Sequence, residues 1–370
     1  MTTLDIRLLG DMILDVAKPD HWLSGIAPLM READLCIAHL EVPHTSRGQE
    51  VAGDVPAPGA EPAHLAALKH AGVHALSLAG NHMMDCGPEG MADTIAELDR
   101  LGIAHSGAGR NLSEARRPAL LRCGDTTVAL LSYNCVGPEF SWATADRPGC
   151  AYVVVRPADG GQSRPQAQLV AIDAQSALDM AADIERARAA ADMVIVALHK
   201  GITHRPAELA PYERLLAYRA IDAGADVVVG HHAHIARGIE FHRGKPIFHG
   251  LGNGVVVTHA LGPGQDHQAR AEWVERRKAM FGFEPDPAYE LAPFHPEAVN
   301  GLIARITRSA DGKIEAGFIP IWFEPPGRPI PAGERSATVA QYIQEIGERA
   351  GLPPLQVQPD GESVRVEPVG

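Results

Sequence analysis

The sequence lacks any apolar run long enough to cross a membrane as a helix. Its longest uninterrupted apolar runs, such as MVIVAL at 193–198, fall far short of the roughly 20 residues that span a bilayer. The opening residues, MTTLDIRLLGDM, contain no basic leader, and Asp5 interrupts their apolar stretch. We therefore expect a cytoplasmic protein that has no membrane partner.

Positive charge is also scarce. The chain has 33 Lys and Arg against 46 Asp and Glu, a net charge of -13, whereas proteins that bind nucleic acids usually present a positive face to the phosphates. The five cysteines are an odd number and are spread widely along the chain, which is not the pattern of a disulfide framework. We therefore expect no nucleic-acid partner, and a reducing compartment.

Apolar residues are plentiful, at 45% of 370 residues, which is enough for a large core. Short apolar runs, which we predict to be strands, alternate with longer segments of helical character, as is typical of a layered α/β domain. The predicted helices cover 62–71, 88–101 and 176–191, and the last begins with Ser176 as its N-cap. The predicted strands lie at 6–9, 35–40, 74–80, 127–133, 193–199 and 226–232.

Toward the end of the chain the pattern changes to β-hairpins. Asp311-Gly312 and Asp360-Gly361 each stand between two segments of alternating polarity, which predicts two hairpins. A proline-rich turn and an amphipathic helix at 336–349 separate them. We predict one α/β domain over residues 1–325 and a small C-terminal α+β appendage, a helix plus a hairpin, over 326–370.

Good metal ligands finish five of the predicted strands. In open α/β sheets such residues meet beyond the carboxyl ends of the strands, even when they are far apart in sequence. Carboxylate, amide and imidazole groups together suit a divalent metal, namely Mn, Zn, Fe or Ca, and we predict one or two ions in one site. The candidate ligands are Asp11 after the first strand, Glu41 after the second, Asn81 after the third, His199 at the end of the fifth, and His232 and His234 in HHAH at the end of the sixth. His82, next to Asn81, is expected to face the substrate.

Several motifs, in this order, resemble the CapA-type family associated with poly-γ-glutamate capsule assembly. They are GD at 10–11, HLE at 39–41, LAGNHMMDCG at 78–87, GAGRNLSEARRP at 107–118, LHKG at 198–201 and AIDAGADVVVGHHAHIARGIEFHRGKPIFHGLGN at 220–253. That family shares the calcineurin-like metallophosphoesterase fold, so the resemblance implies four layers, with a β-sandwich core flanked by helices. It also implies His82 as a general acid, one metal bound by Asp11, Glu41 and His234, and a second metal bound by Glu41, Asn81, His199 and His232.

The chain departs from the pattern of the metallophosphoesterases at the first metal. They usually carry a histidine two residues after the first aspartate, where this chain has Ile13, so we expect Asp11 to be less engaged with metal. The capsule-type pattern has Asn where this chain has His39. A smaller branch of CapA-like enzymes, encoded with ribosomally made lasso peptides, resembles the chain better.

Enzymes of that branch invert an α-carbon of the precursor peptide, so the resemblance implies a metal-dependent epimerase whose partner is the C-terminus of a lasso peptide precursor, with a C-terminal tryptophan as the inverted residue. Inversion requires a cation at the substrate oxygens and two proton carriers on opposite faces of the α-carbon. Asp11 is one candidate carrier. His295, in the loop ELAPFHPEAVN, and His82 compete for the other role.

Two other functions stay open, namely a metallophosphoesterase-like hydrolase and a component of poly-γ-glutamate capsule biosynthesis. The segment 262–293 also has two interpretations. It is either a solvated surface helix with ordinary packing, or a substrate element whose apolar groups receive an indole while an arginine meets a peptide carboxylate.

Overall fold

The computed structural model describes residues 3–48, 50–51, 57–262, 264–265 and 267–369. In this part of the chain the β-strands are β1 Leu4–Leu14, β2 Leu35–Leu40, β3 Ala75–Ser77, β4 Ala104–Ser106, β5 Ala108–Gly109, β6 Ala119–Cys123, β7 Thr126–Asn134, β8 Gly149–Cys150, β9 Val155–Pro157, β10 Leu169–Ile172, β11 Met193–His199, β12 Val227–His231, β13 Ile239–His242, β14 Lys245–Phe248, β15 Asn253–Val257, β16 Asn300–Arg308, β17 Ile314–Glu324, β18 Arg328–Pro331, β19 Leu355–Asp360 and β20 Ser363–Pro368. The α-helices are α1 Pro19–Leu23, α2 Ala27–Arg31, α3 Leu65–Ala71, α4 Gly87–Leu101, α5 Leu112–Ala115, α6 Ala174–Ala190, α7 Pro211–Asp222, α8 Gln268–Phe281 and α9 Ser336–Arg349. Short 3₁₀ helices lie at Pro62–His64, Glu139–Ser141, Pro287–Tyr289, Pro296–Val299 and Gly333–Arg335.

Two large sheets form the framework. The ten-stranded sheet has the order β19-β20-β17-β16-β1-β2-β3-β4, with β15 also paired to β1 and β18 to β17. The six-stranded sheet has the order β13-β14-β12-β11-β7-β6. Strands β1, β2, β3 and β4 are parallel to one another, as are β7, β11, β12 and β14, so in each sheet a set of neighbouring strands ends on the same edge.

Most apolar side chains of these strands enter three large cores, and a smaller fourth cluster contains Ile13 of β1 and Val256 of β15. Along β11, Ile195 and Ala197 face a core shared with the ten-stranded sheet, whereas Val194, Val196 and Leu198 face a core shared with α6 and α7, because successive residues of a strand point to opposite faces. A third core joins the other face of the ten-stranded sheet to α1, α2, α3 and α4. The predicted α/β sandwich flanked by helices on both sides is therefore confirmed.

The segment after residue 325, which we predicted to be an appendage, extends the ten-stranded sheet. Strand β20 pairs with β17 from Ala316 to Phe318, and β19 forms the predicted hairpin with β20. The predicted helix at 336–349 is present as α9, and its Ile343 and Ile346 enter the core between the sheets. The domain boundary at 325 stays a prediction about independent folding.

Two local predictions were wrong. Ser176 does not cap its helix: α6 begins at Ala174, because the Asp173 carboxylate accepts a hydrogen bond from the Ser176 N–H at 3.0 Å and is itself the N-cap. The first strand does not end at Asp11 but continues to Leu14, since Met12, Ile13 and Leu14 pair in parallel with Val255, Val256 and Val257 of β15. Among the helices of the described residues, none has both the length and the apolar character of a membrane span.

Candidate metal centre and its cavity

Two groups of polar side chains meet where the strands of both sheets end. The first group comes from the ten-stranded sheet: Asp11 lies at an irregularity of β1, where its pairing with β2 and with β15 shifts register, and Glu41 follows β2 directly. The second comes from the six-stranded sheet: His199 is the last residue of β11, and His231 is the last residue of β12. His232 and His234 follow with positive φ angles of 88° and 52°. Such conformations are uncommon outside glycine and mark constrained sites.

The predicted ligands of the second metal lie within contact of one another. Asn81 Oδ1 is 2.6 Å from His199 Nε2 and 3.2 Å from His232 Nδ1, and His199 Nε2 is 3.6 Å from a carboxylate oxygen of Glu41. All four side chains are buried. Their roles as ligands stay predictions, but the structure brings these four residues together.

The predicted ligands of the first metal form an adjoining group around Asp11. The Asp11 carboxylate lies 3.4 Å from His234 Nδ1 and accepts a hydrogen bond from the His232 N–H at 3.2 Å. Its other oxygen is 3.2 Å from His231 Nδ1. We expected Asp11 to be less engaged. In the structure it is fully buried and hydrogen-bonded to protein groups, and it lies behind the histidines rather than open to solvent.

The sequence did not identify two further members of the cluster. His39 Nε2 lies 3.2 Å from a Glu41 oxygen, and its ring packs at a tilt against His199 at 4.6 Å and stacks on His231 at 4.8 Å. Ligating atoms of Asp11, His39, Glu41 and His199 all lie within 4.8 Å of one another. His39 stands two residues before Glu41, a spacing that places both side chains on one face of an extended chain. That spacing was the available signal for His39, and the first histidine of HHAH was the signal for His231.

The donor set fits a divalent cation. Both carboxylate oxygens of Glu41 and the Nε2 of His39 are buried. Among the described residues none of these three atoms has a partner in hydrogen-bonding geometry, although His39 Nε2 and one Glu41 oxygen lie 3.2 Å apart. Burial lowers the pKa of His199 well below its usual value and that of His232 to about 4, so both imidazoles are neutral at pH 7, which is the form that binds metal. A buried carboxylate among neutral imidazoles lacks a compensating positive charge, and a bound metal ion supplies one.

A cavity of about 430 Å³ opens beside this cluster. Asn81, His82, His232 and His234 form its polar end. Ile13 lines the same cavity, so an apolar side chain stands where the metallophosphoesterase pattern has a ligand. Helix α8, in the segment with two interpretations, contributes Trp273, Met280 and Phe281. This location favours the substrate element over a solvated helix.

Of the three candidate proton carriers, Asp11, His82 and His295, it is His82 that lines this cavity. Its Nδ1 lies 2.6 Å from Oδ2 of Asp85, and 17% of its side chain is exposed. The same Asp85 oxygen accepts a hydrogen bond from the Ala57 N–H at 2.6 Å. A carboxylate that accepts the Nδ1 proton of an imidazole leaves Nε2 to take up and return protons.

His295 lies apart from the polar end of the cavity. It is half-buried, and its Nδ1 accepts a hydrogen bond from the Glu297 N–H at 3.1 Å, so it caps the 3₁₀ helix at Pro296–Val299. Together with Asn253 it lines a second, smaller cavity of about 50 Å³, and Phe294 lines both cavities. The Phe294 ring also stacks on His234 at 4.9 Å. Asn253, which lines this smaller cavity with His295, contacts His234 Nδ1 at 2.9 Å, and the Asp11 carboxylate lies 3.4 Å from the same atom.

The chain matches the family model described as bacterial capsule synthesis protein PGA_cap over residues 6–257. It therefore belongs to this family, and the predicted CapA-type resemblance is confirmed. It is 34% identical over 271 residues to a probable polyglutamine synthesis accessory protein of Mycobacterium tuberculosis, covering 72% of this chain and 67% of that protein. It is 27% identical over 261 residues to capsule biosynthesis protein CapA of Bacillus anthracis, covering 68% and 58% of the two chains.

Similar solved structures include a putative 5'-nucleotidase of Staphylococcus aureus in complex with α-ketoglutarate. The likeness has a TM-score of 0.42 and 12% identity, and covers 93% of this chain and 58% of that one. The calcineurin-like phosphoesterase YfkN of Bacillus subtilis gives a TM-score of 0.39 at 12% identity, with 94% and 97% of the two chains covered.

Proposed function

We propose that this protein is a metal-dependent peptide epimerase that inverts the α-carbon of a residue, the C-terminal tryptophan, in a lasso peptide precursor. The observation that carries the proposal is a buried carboxylate and imidazole cluster at the end of a largely apolar cavity, with an Asp-oriented histidine, His82, on the cavity wall. This arrangement combines a site for positive charge with a proton carrier and space for an apolar side chain. Inversion needs these three features and no leaving group.

The metal would be Mn, Zn, Fe or Ca, held by Glu41, Asn81, His199 and His232, with Asp11 and His234 beside them. A divalent cation bound there would withdraw electrons from a substrate carbonyl or carboxylate and so make the adjacent Cα–H more acidic. The protein groups would do the rest. His82, with Nδ1 held by Asp85, would exchange a proton through Nε2 with a group in the cavity.

The opposite face of the α-carbon needs a second carrier. Asp11 is one candidate: its carboxylate lies 3.4 Å from the imidazole of His234, which lines the cavity, so a proton would move between Asp11 and the substrate through that imidazole. His295, which lines the smaller cavity with Phe294, is the alternative. The apolar wall of Trp273, Phe281 and Phe294 would exclude water from the carbanion between the two transfers.

Hydrogen exchange at the α-carbon tests this function directly. A lasso precursor peptide incubated with the protein and Mn²⁺ in deuterium oxide should gain one deuterium at a single residue together with the opposite configuration, and no bond should be cleaved. Mass spectrometry with chiral amino-acid analysis measures both. Release of phosphate from p-nitrophenyl phosphate, or hydrolysis of the peptide, without deuterium uptake would replace the epimerase with a hydrolase.

The names of the relatives favour a second candidate, an accessory role in the synthesis of poly-γ-glutamate. Its substrate would also be a chain of amino acids, but one rich in carboxylates. Complementation of a capsule-deficient strain that lacks its own CapA protein tests this role. Restored polymer would support it, and restored polymer without α-carbon exchange in the peptide assay would make it the better account.

A further inference from the structure

One wall of the cavity carries an arginine, Arg205, that has no anionic partner among the described residues. Arg205 lies in the loop between β11 and α7, is exposed, and lines the cavity. No ion pair or hydrogen bond links its guanidinium to another side chain in the described part of the chain. Most other arginines around the cluster are paired, as Arg270 is with Glu50 and Arg237 with Glu213.

The loop around Arg205 is held in place by the preceding residue. His204 is buried, has a positive φ of 60°, and donates its backbone N–H to the carbonyl of Ala233 at 2.9 Å. Its ring packs edge-on against Phe281 at 4.8 Å and Phe283 at 5.2 Å. Because Ala233 lies between His232 and His234, this hydrogen bond ties the Arg205 loop to the histidines of the candidate metal centre.

Two imidazoles lie near Arg205. Burial is the largest cause that lowers the pKa of His204 and of His295, and the charge of Arg205 lowers both further. Two carboxylates also line the cavity. Asp15 accepts a hydrogen bond from Thr258 Oγ1 at 2.6 Å, and Glu208 forms no ion pair with Arg205 in the described structure.

We propose that Arg205 binds a carboxylate of the substrate at this wall. The inference rests on the proposed function in one respect, namely that the substrate is a peptide. The planar guanidinium offers a fork of N–H donors that matches a carboxylate. Phe281, Phe294 and Met280 line the same cavity, and apolar walls strengthen an ion pair formed between them. An anchored carboxylate would hold the attached residue beside His234 and His82, which line the same cavity.

The carboxylate has two possible sources, the C-terminus of a peptide or an acidic side chain. Three N-acetylated tripeptides separate them: Gly-Ala-Phe with a free C-terminus, the same peptide as a C-terminal amide, and Glu-Ala-Phe as an amide. Their dissociation constants are measured by NMR titration on the wild type, Arg205→Gln and Arg205→Lys. Two control variants are Arg219→Gln, which removes an exposed arginine of α7 outside the cavity, and Glu208→Gln, which removes a neighbouring cavity charge.

We expect a carboxylate peptide to bind the wild type about tenfold or more tightly than the neutral amide, as a charge-assisted hydrogen bond provides. Arg205→Gln should abolish this difference, Arg205→Lys should keep part of it, and both controls should keep it. Preference for the free C-terminus assigns the site to a chain end, and equal preference for the Glu peptide assigns it to any carboxylate. If acid and amide bind alike, if neither binds, or if Arg205→Gln keeps the difference, the proposal is wrong.

Deuterium exchange on the lasso precursor peptide and on its C-terminal amide keeps this result separate from that of the proposed function. If the Arg205-dependent preference is present but no deuterium enters any α-carbon, the carboxylate site stands and the epimerase falls. If deuterium enters acid and amide peptides at equal rates in wild type and Arg205→Gln, the epimerase stands and the carboxylate site falls.

Discussion

The imidazole Nε2 of His199 lies 2.6 Å from the amide Oδ1 of Asn81, although 118 residues separate them in the sequence. His199 ends β11 of the six-stranded sheet, and Asn81 follows β3 of the ten-stranded sheet. The contact therefore joins the two halves of the sandwich. A metal ion held at this point would depend on the packing of both sheets, and removal of either side chain should reduce metal binding.

The first prediction concerns metal content. Asn81→Ala and His199→Ala should each lower the bound divalent metal to well below one equivalent, because each removes a donor atom from the same group. The metal is measured by inductively coupled plasma mass spectrometry after chelation and reloading with Mn²⁺. His242→Ala, which removes a partly exposed imidazole from β13, should load like the wild type. Full occupancy in both cluster variants would refute the ligand assignment.

The second prediction tests the geometry of the cluster without removing a ligand. A Cβ at Gly80 would lie 2.9 Å from His39 Nε2. The His39 ring has little freedom to move, because its Nδ1 is hydrogen-bonded to Ser77 Oγ at 2.9 Å and its ring packs against His199 and His231. Gly80→Ala should therefore reduce metal affinity by about 10–100-fold, as other changes around ligating residues do.

The matched control for this variant is Gly262→Ala. Among the described residues, the nearest atom to a Cβ there is the carbonyl oxygen of His259 at 3.5 Å, so its metal affinity should match that of the wild type. Circular dichroism checks that both variants fold. An unchanged affinity in folded Gly80→Ala would mean that the position of His39 does not matter to the site.

The sequence predicted much of this architecture because the relevant signals are local. The apolar run 193–199 corresponds to the whole of β11. The candidate ligands His199, His232 and His234 could be predicted because they stand where the apolar runs of β11 and β12 end. The position of Asp11 did not follow, because the strand continues through a pairing with β15, more than 240 residues away along the chain. No local sequence pattern marks Arg205 as a binding residue. Its place in the cavity depends on the backbone hydrogen bond from the preceding residue, His204, to Ala233.

The third prediction concerns a buried charge network behind the site. Glu213 contacts Lys200 Nζ at 2.8 Å and Arg237 Nη1 at 2.9 Å, and all three side chains are fully buried. Burial alone would raise the pKa of Glu213, but Arg237 and Lys200 outweigh it and lower the pKa to about 2. Glu213→Gln leaves two buried cations without their carboxylate, and should lower the free energy of unfolding at pH 7 by about 3–5 kcal/mol.

The pH dependence of stability gives this prediction its sign. Because the pKa of Glu213 is lower in the folded protein than its ordinary value near 4.5, its stabilisation is complete above that value and is lost as the pH falls toward about 2. Urea denaturation at several pH values should show this loss in the wild type but not in Glu213→Gln. Glu97→Gln, which breaks a solvent-facing pair with Arg100, should change stability little.

The last prediction assigns the proton carriers. Asp11→Asn keeps the size of the side chain but removes the basic carboxylate, His82→Asn removes the imidazole held by Asp85, and His295→Ala removes the imidazole beyond Phe294. Loss of a true carrier should reduce inversion by about 10²–10⁴-fold. It should leave deuterium exchange on the face served by the other carrier, so the substrate gains deuterium while keeping its configuration.

Two of the three variants should therefore uncouple exchange from inversion when assayed with the L- and D-epimers of one peptide, each variant exchanging one epimer only. The third should retain both activities once its metal content matches the wild type. If all three variants invert the peptide at the wild-type rate, proton transfer by these residues is excluded.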